Sequence, residues 1–183
     1  MVLNAGGGES PGPVYELTDE EWDRELRINL HHIFWGLRRS LQVMIPRRRG
    51  AVLIMSSIEG RQCKPGLSGY SAAKHALCGL TGCSALDVKR FGITVNAILP
   101  GLVDTEKLRV NGSVAAQRMG FGSLDDLVDV FVADSAIGRP NTVEEVAAVA
   151  LFLASDSGRS FTGGLFPVDG GTLARSRERM LFS

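Results

Sequence analysis

Five consecutive apolar residues, Ala51-Val-Leu-Ile-Met55, offer no polar position to face water, so the run reads as a strand buried on both faces. Strands of that kind belong to parallel sheets, whose crossover connections need a dozen or more residues and are usually helical. Ile93-Thr-Val-Asn-Ala-Ile-Leu99, closed by Pro100-Gly101, reads as another buried strand, and Met1-Val-Leu-Asn4 as the end of a third. The intervals between them carry helix signals. Thr18-Asp-Glu-Glu21 has the form of a capping box, and Trp22, Leu26, Leu30, Ile33, Leu37, Leu41 and Met44 make a 3.6-period stripe that should stop near Pro46. A second helix carries Tyr70 and Lys74 and should end near Phe91-Gly92. The β-α-β-α-β order predicts an α/β fold: right-handed crossovers and a parallel sheet with helices on both faces.

Further along, Thr142-Val-Glu-Glu145 opens a helix through Leu153, and Leu165-Phe-Pro-Val-Asp169 reads as a late strand whose Pro167 demands an edge position or a break. Between Pro100 and Thr142 the pattern is less regular. Residues 104–141 are either a mobile flap over the binding crevice, its apolar content suited to a lipophilic substrate, or two amphipathic helices packing on the sheet. The tail at 172–183 reads as frayed. With 183 residues the chain has the size of a single domain.

Chemistry concentrates in four residues. Tyr70-Ser-Ala-Ala-Lys74 places a phenol and an ammonium at i and i+4, on one helix face and roughly 5–6 Å apart at Cβ. A fixed ammonium beside a phenol favours phenolate, so such a tyrosine can exchange a proton with a substrate oxygen. Ser57 follows the Ala51–Met55 run, which sets its hydroxyl at the strand's carboxyl end, the edge where open α/β sheets bind ligands. Asn29 falls inside the apolar stripe, seven residues after Trp22, where an amide needs partners. It is either a core asparagine satisfied by backbone or part of the same site. The loop at Gly6, Ser57 and the Pro100-Gly101 turn all follow strands and so converge on one edge.

Composition removes other classes. A formal net charge of zero leaves no electrostatic footprint for nucleic acid or an anionic membrane, and Pro46-Arg-Arg-Arg-Gly50 reads as a solvated turn. Cys63, Cys78 and Cys83 are odd in number and lack C-x-x-C spacing, which fits reduced thiols rather than disulfides or zinc. His31, His32 and His75 form no ligand set, so no metal is expected. No apolar stretch approaches the ~20 residues of a membrane span, and no signal pattern opens the chain. The expectation is a soluble cytoplasmic protein.

Taken in order, these residues resemble the short-chain dehydrogenase/reductase family from Asn4 to about Gly171. Asn4-Ala5-Gly6 resembles its N-A-G element, Asn29 its helix asparagine, Ser57 its serine, and Tyr70 with Lys74 its signature dyad. Asn96 with Pro100-Gly101-Leu-Val103-Asp-Thr105 resembles the segment that holds the nicotinamide carboxamide. Arg139-Pro140 with Glu144-Glu145-Val146, and Thr162-Gly163 with Val168-Asp-Gly-Gly171, resemble its C-terminal landmarks.

The resemblance implies a Rossmann-type doubly wound sheet and an NAD(P)-dependent oxidoreductase that interconverts a secondary alcohol and a ketone. It assigns Tyr70 as general acid/base, Ser57 as partner to the substrate oxygen, Lys74 to the Tyr70 pKa and the ribose hydroxyls, and Asn29 to orienting Lys74. Cofactor contacts fall on Asn4, Ala5, Gly6, Tyr70, Lys74, Pro100, Gly101, Val103 and Thr105. A small-molecule alcohol or ketone is the implied substrate, with a 3-oxoacyl thioester as a second possibility. A homodimer or homotetramer is the implied assembly, for which Ala72, Ala73, Ala76 and Gly79 permit close helix packing.

The family's opening Gly-rich turn, which cradles the cofactor diphosphate, has no counterpart, because Gly6-Gly-Gly8 leads into a Pro-containing loop rather than a helix. The first βα units, roughly 70–90 residues at about 30 per βαβ unit, are therefore missing from the pattern. The expectation is an N-terminally truncated family member, NAD and NADP undistinguished, whose alternative is an inactive portion serving as an oligomerisation or interaction module.

Overall fold

Val52 and Ile54 face one side of the sheet and Leu53 the other, and each is buried, as the period of two along a strand requires. A computed structural model describes residues 1–8 and 10–174 of the chain. Among these, strands β1 (Val2–Leu3), β2 (Gly50–Met55), β3 (Ile93–Pro100) and β4 (Leu165–Val168) form one parallel sheet in the order β1-β2-β3-β4. The register sets Val52 beside Val95 and Ile54 beside Ala97.

One face packs against two long helices. Ile33 and Leu37 of α2 (His32–Arg47) and Leu77 of α3 (Ser68–Asp87) close over Val52, Ile54, Val95 and Leu99. The opposite face receives α6 (Val143–Ala154), whose Val146 and Leu153 meet Leu53 and Ile98. Each of these side chains, taken from water into the core, contributes about 1.5–3 kcal/mol. Helices on both faces of a parallel sheet make this an α/β fold of Rossmann type.

The first helix signal is obeyed closely. In α1 (Asp19–Leu26) the Thr18 hydroxyl accepts from Glu21 N at 3.2 Å, and Thr18 N donates to the Glu21 carboxylate at 3.0 Å. The stripe does not run as one uninterrupted α-helix, because Arg27–His31 is a π-turn between α1 and α2. Its cause is local: the Asn29 amide donates to Glu25 O at 3.1 Å and inserts into the backbone ladder. Pro46 stands in the last turn of α2, and Arg48 ends the helix in the left-handed region at φ 50°.

Helix α3 stops at Asp87, short of the expected Phe91-Gly92, because 88–91 tighten into i→i+3 turns before Gly92 adopts φ 63°. A Cβ on Gly92 would lie 2.8 Å from Arg48 O. Pro167 occupies an edge strand, which tolerates its missing N–H.

Residues 104–141 hold two helices, α4 (Glu106–Arg118) and α5 (Leu124–Val132), capped by Thr105 and Ser123. They pack on each other, Gly112 admitting Leu124 so closely that a Cβ would lie 2.6 Å from it, and neither contributes to the two cores on the sheet. Thr172–Ala174 forms a short 3-10 turn, and the rest of the expected frayed tail lies outside the described residues. Among the described residues no helix is long and apolar enough to cross a membrane.

Candidate active site

The carboxyl ends of β1, β2 and β3 open into a cleft of about 650 Å³. Asn4 and Gly6 line it from the loop after β1, Ser57 from the end of β2, Tyr70 and Lys74 from α3, and Pro100, Gly101, Val103 and Thr105 from the segment after β3. Of the candidate catalytic and cofactor-contact residues, Asn29 and Ala5 do not line this cleft. Ala5 borders a neighbouring depression with Arg27, Ile28, His32, Trp35 and Lys107, and its carbonyl lies 3.0 Å from His32 Nε2.

Ser57 is held as the N-cap of the turn Ile58–Gly60, its oxygen accepting from Glu59 N at 3.2 Å. Tyr70 lines the cleft beside it. Lys74 is buried, and its ammonium donates to Met55 O at 3.0 Å, one of three donors it carries. Its Nζ stands 5.4 Å from the Tyr70 ring centre.

Burial pushes the Tyr70 phenol above its ordinary value; the Ser57 side chain pulls it down, and the carboxylates of Glu59 and Glu25 add to the rise. Phenolate is therefore not favoured in the cleft as the spacing alone suggested. Burial also draws the Lys74 ammonium down from 10.5 to about 8, with Cys78 and Glu25 acting the other way. Desolvation penalises the charged form of both groups and outweighs their proximity.

Asn29 is fully buried and satisfied on every side. Its Oδ1 accepts from Gly7 N at 2.9 Å, and its Nδ2 donates to Gly7 O at 3.0 Å and to Glu25 Oε2 at 2.9 Å. It thus acts on the cleft by pinning the loop after β1. Gly6 is squeezed between site residues: a Cβ there would lie 2.8 Å from Asn29 Oδ1 and 3.4 Å from Lys74 Nζ. Gly101 is bare for a similar reason, since a Cβ would approach Asp169 Cα to 3.1 Å. Asn96 has a different task. Its amide donates to Phe161 O at 2.7 Å and accepts from Gly164 N at 3.0 Å, fixing the approach to β4 away from the cleft.

Two residues that sequence reading passed over support the site. Ser56 Oγ donates to Lys74 O at 3.0 Å and locks α3 against the end of β2. Glu25 is buried against Asn29, and its signal was present: it lies three residues after Trp22 and four before Asn29, within the apolar stripe.

A family model described as enoyl-(acyl carrier protein) reductase matches residues 1–172. The chain belongs to the short-chain dehydrogenase/reductase family. It is 34% identical over 173 residues to galactitol 2-dehydrogenase of Rhizobium johnstonii, covering 93% of this chain and 63% of that one. Levodione reductase superposes with a TM-score of 0.88 at 31% identity, over 96% of this chain and 66% of that one. Gluconate 5-dehydrogenase from Burkholderia cenocepacia, solved in complex with NADP and tartrate, gives a TM-score of 0.84 at 28% identity, over 96% and 64%. This family member spans about 60% of the length of curated relatives it matches.

The residues present fit one end of a nicotinamide dinucleotide. The Lys74 ammonium in the cleft offers donors that suit a ribose diol, and the Pro100–Thr105 segment walls the other side. The diphosphate end finds no match among the described residues. The glycines after β1 are separated from the first helix, at Asp19, by residues 9–18, so no helix N-terminus meets them.

Proposed function

We propose that this chain carries the proton-handling site of an NAD(P)-dependent oxidoreductase that interconverts a secondary alcohol and a ketone. One observation carries the reading: Tyr70, Lys74 one turn later and Ser57 line the same cleft at the carboxyl ends of three parallel strands. Relatives named dehydrogenase and reductase, one solved with NADP, support it.

In the direction of reduction the substrate oxygen takes hydrogen bonds from Tyr70 and Ser57, which fixes its place and draws charge onto it. A nicotinamide cofactor, which Lys74 and the Pro100–Thr105 segment would hold, would supply the hydride in this direction and receive it in the reverse. The raised phenol pKa keeps Tyr70 protonated until alkoxide character develops, and then the proton moves from its Oη to the substrate oxygen. Oxidation runs the same path backwards, with Tyr70 as base. Lys74 would hold the ribose hydroxyls, and Asn29 fixes Gly7 of the loop after β1. Residues 104–141 form the flap over the substrate. The reading includes a homo-oligomer, for which the exposed Phe34 and Trp35 on α2 and Leu86 on α3 offer apolar surface.

The test is a titration with NAD(H) and NADP(H) followed by fluorescence, then turnover of a secondary-alcohol panel read by absorbance of the reduced cofactor. Saturable binding, with turnover reduced about 10²–10⁴-fold by Tyr70→Phe while the fold is kept, is the expected result. A folded chain that saturates with neither cofactor overturns the reading.

A further inference from the structure

Glu25 is a carboxylate only 2% exposed, on α1, behind the cleft rather than in it. A buried charge is costly unless its oxygens are satisfied, and here both accept hydrogen bonds from elements that border the site. Oε1 accepts from Ser10 N at 2.7 Å, on the loop after β1, and Oε2 accepts from Asn29 Nδ2 at 2.9 Å. Asn29 in turn holds Gly7 through both its N–H and its carbonyl. Gly69, the residue before Tyr70 on α3, is bare because Glu25 lies against it: a Cβ there would meet Glu25 Cβ at 3.1 Å and Cγ at 3.2 Å. One side chain thus touches α1, the loop after β1, the π-turn and the backbone of α3 beside Tyr70.

We propose that Glu25 is a positioning residue of this site, its carboxylate gripping Ser10 directly and Gly7 through Asn29 while its stem packs on Gly69 beside Tyr70. Its effect on turnover rests on the oxidoreductase reading, whereas the grip and the charge of the carboxylate do not. Tyr70 is faced by Lys74 on its own helix, by Glu59 on the turn after β2 and by Glu25 on α1; Lys74 is faced by Cys78 and Glu25. Glu25 is the one carboxylate common to both sets.

Glu25→Gln separates this role from packing, because the amide keeps the shape, loses the charge and offers one acceptor where two are needed. Either Ser10 N or Asn29 Nδ2 then loses its bond to the Glu25 side chain, and Asn29, which holds Gly7, is fixed less firmly. The chain has two tyrosines, and Tyr15 is 83% exposed, so phenolate absorbance resolves Tyr70, with Tyr70→Phe confirming the assignment.

In Glu25→Gln the Tyr70 transition is expected at lower pH than in the wild type. The amide of Gly7 or Ser10 should exchange about tenfold faster, the effect of one lost hydrogen bond. If the chain turns over, the pH profile of hydride transfer moves in the same direction as the phenol. A folded variant in which either the phenol transition or both amides stay at wild-type values overturns the proposal. Should Glu25→Gln fail to fold, Glu25→Asp keeps the charge and shortens the reach. It is expected to leave the phenol transition in place while the amides exchange faster, and unchanged exchange overturns the proposal. Absence of turnover in the unsubstituted chain counts against the oxidoreductase reading and leaves both spectroscopic outcomes to decide on Glu25.

Discussion

At the scale of single residues, Lys74 is held against its own solvation preference, and this ties stability to pH. Unfolded, its ammonium keeps its proton up to the ordinary 10.5; folded, it gives it up near 8. Between those values the unfolded chain binds more protons, so stability rises with pH, and below 8 the full cost of burying the charge is present. Relative to Lys74→Met, the wild type is expected to gain up to about 3 kcal/mol across that window. Urea unfolding of both proteins at neutral and alkaline pH measures the difference, and parallel pH curves would sink the idea. Tyr70 follows the same physics: the i,i+4 spacing was legible as a pair sharing one face, but burial decides which protonation state each member prefers.

Among the elements, the helical pair α4–α5 is the part least anchored in the core. Its two ends are tied by backbone: Asn141 N donates to Leu102 O at 2.8 Å, Asp104 N donates to Asn141 O at 2.9 Å, and Ile137 N donates to Gly170 O at 3.2 Å. On the far side, Lys64 Nζ lies 3.6 Å above the Phe131 ring and joins α5 to the loop that leads into α3. Such a contact is worth about 0.5–2 kcal/mol. Phe131→Ala is therefore expected to raise proteolytic nicking within 106–132 about threefold or more while thermal unfolding of the core shifts little. Equal nicking in both proteins would show that Phe131 does not fasten the segment. Sequence periodicity left these residues open between a flap and two helices because α4 shows only a weak apolar stripe and the strong one of α5 spans just nine residues. Thr18, by contrast, announced α1 outright, since a capping box is completed within four residues.

For the molecule as a whole, the sheet and α3 share one core in which Leu77 is fully buried between Val52, Ile54 and Val95. Leu77→Ala should cost about 2–5 kcal/mol, a large part of the 5–15 kcal/mol typical of a domain. Chemical denaturation reads it directly, and a loss below about 1 kcal/mol would mean that α3 closes over the gap. The sequence by itself determined the strand runs, the parallel order and the set Ser57, Tyr70 and Lys74, because periodicity, capping and i,i+4 spacing are local and survive without tertiary context. Only the tertiary structure decided that Glu25 reaches both Ser10 and Asn29, that Asn29 holds Gly7, and that burial raises the phenol and lowers the ammonium. Those are properties of distance and dielectric between segments far apart in the chain, and no spacing along a sequence encodes them.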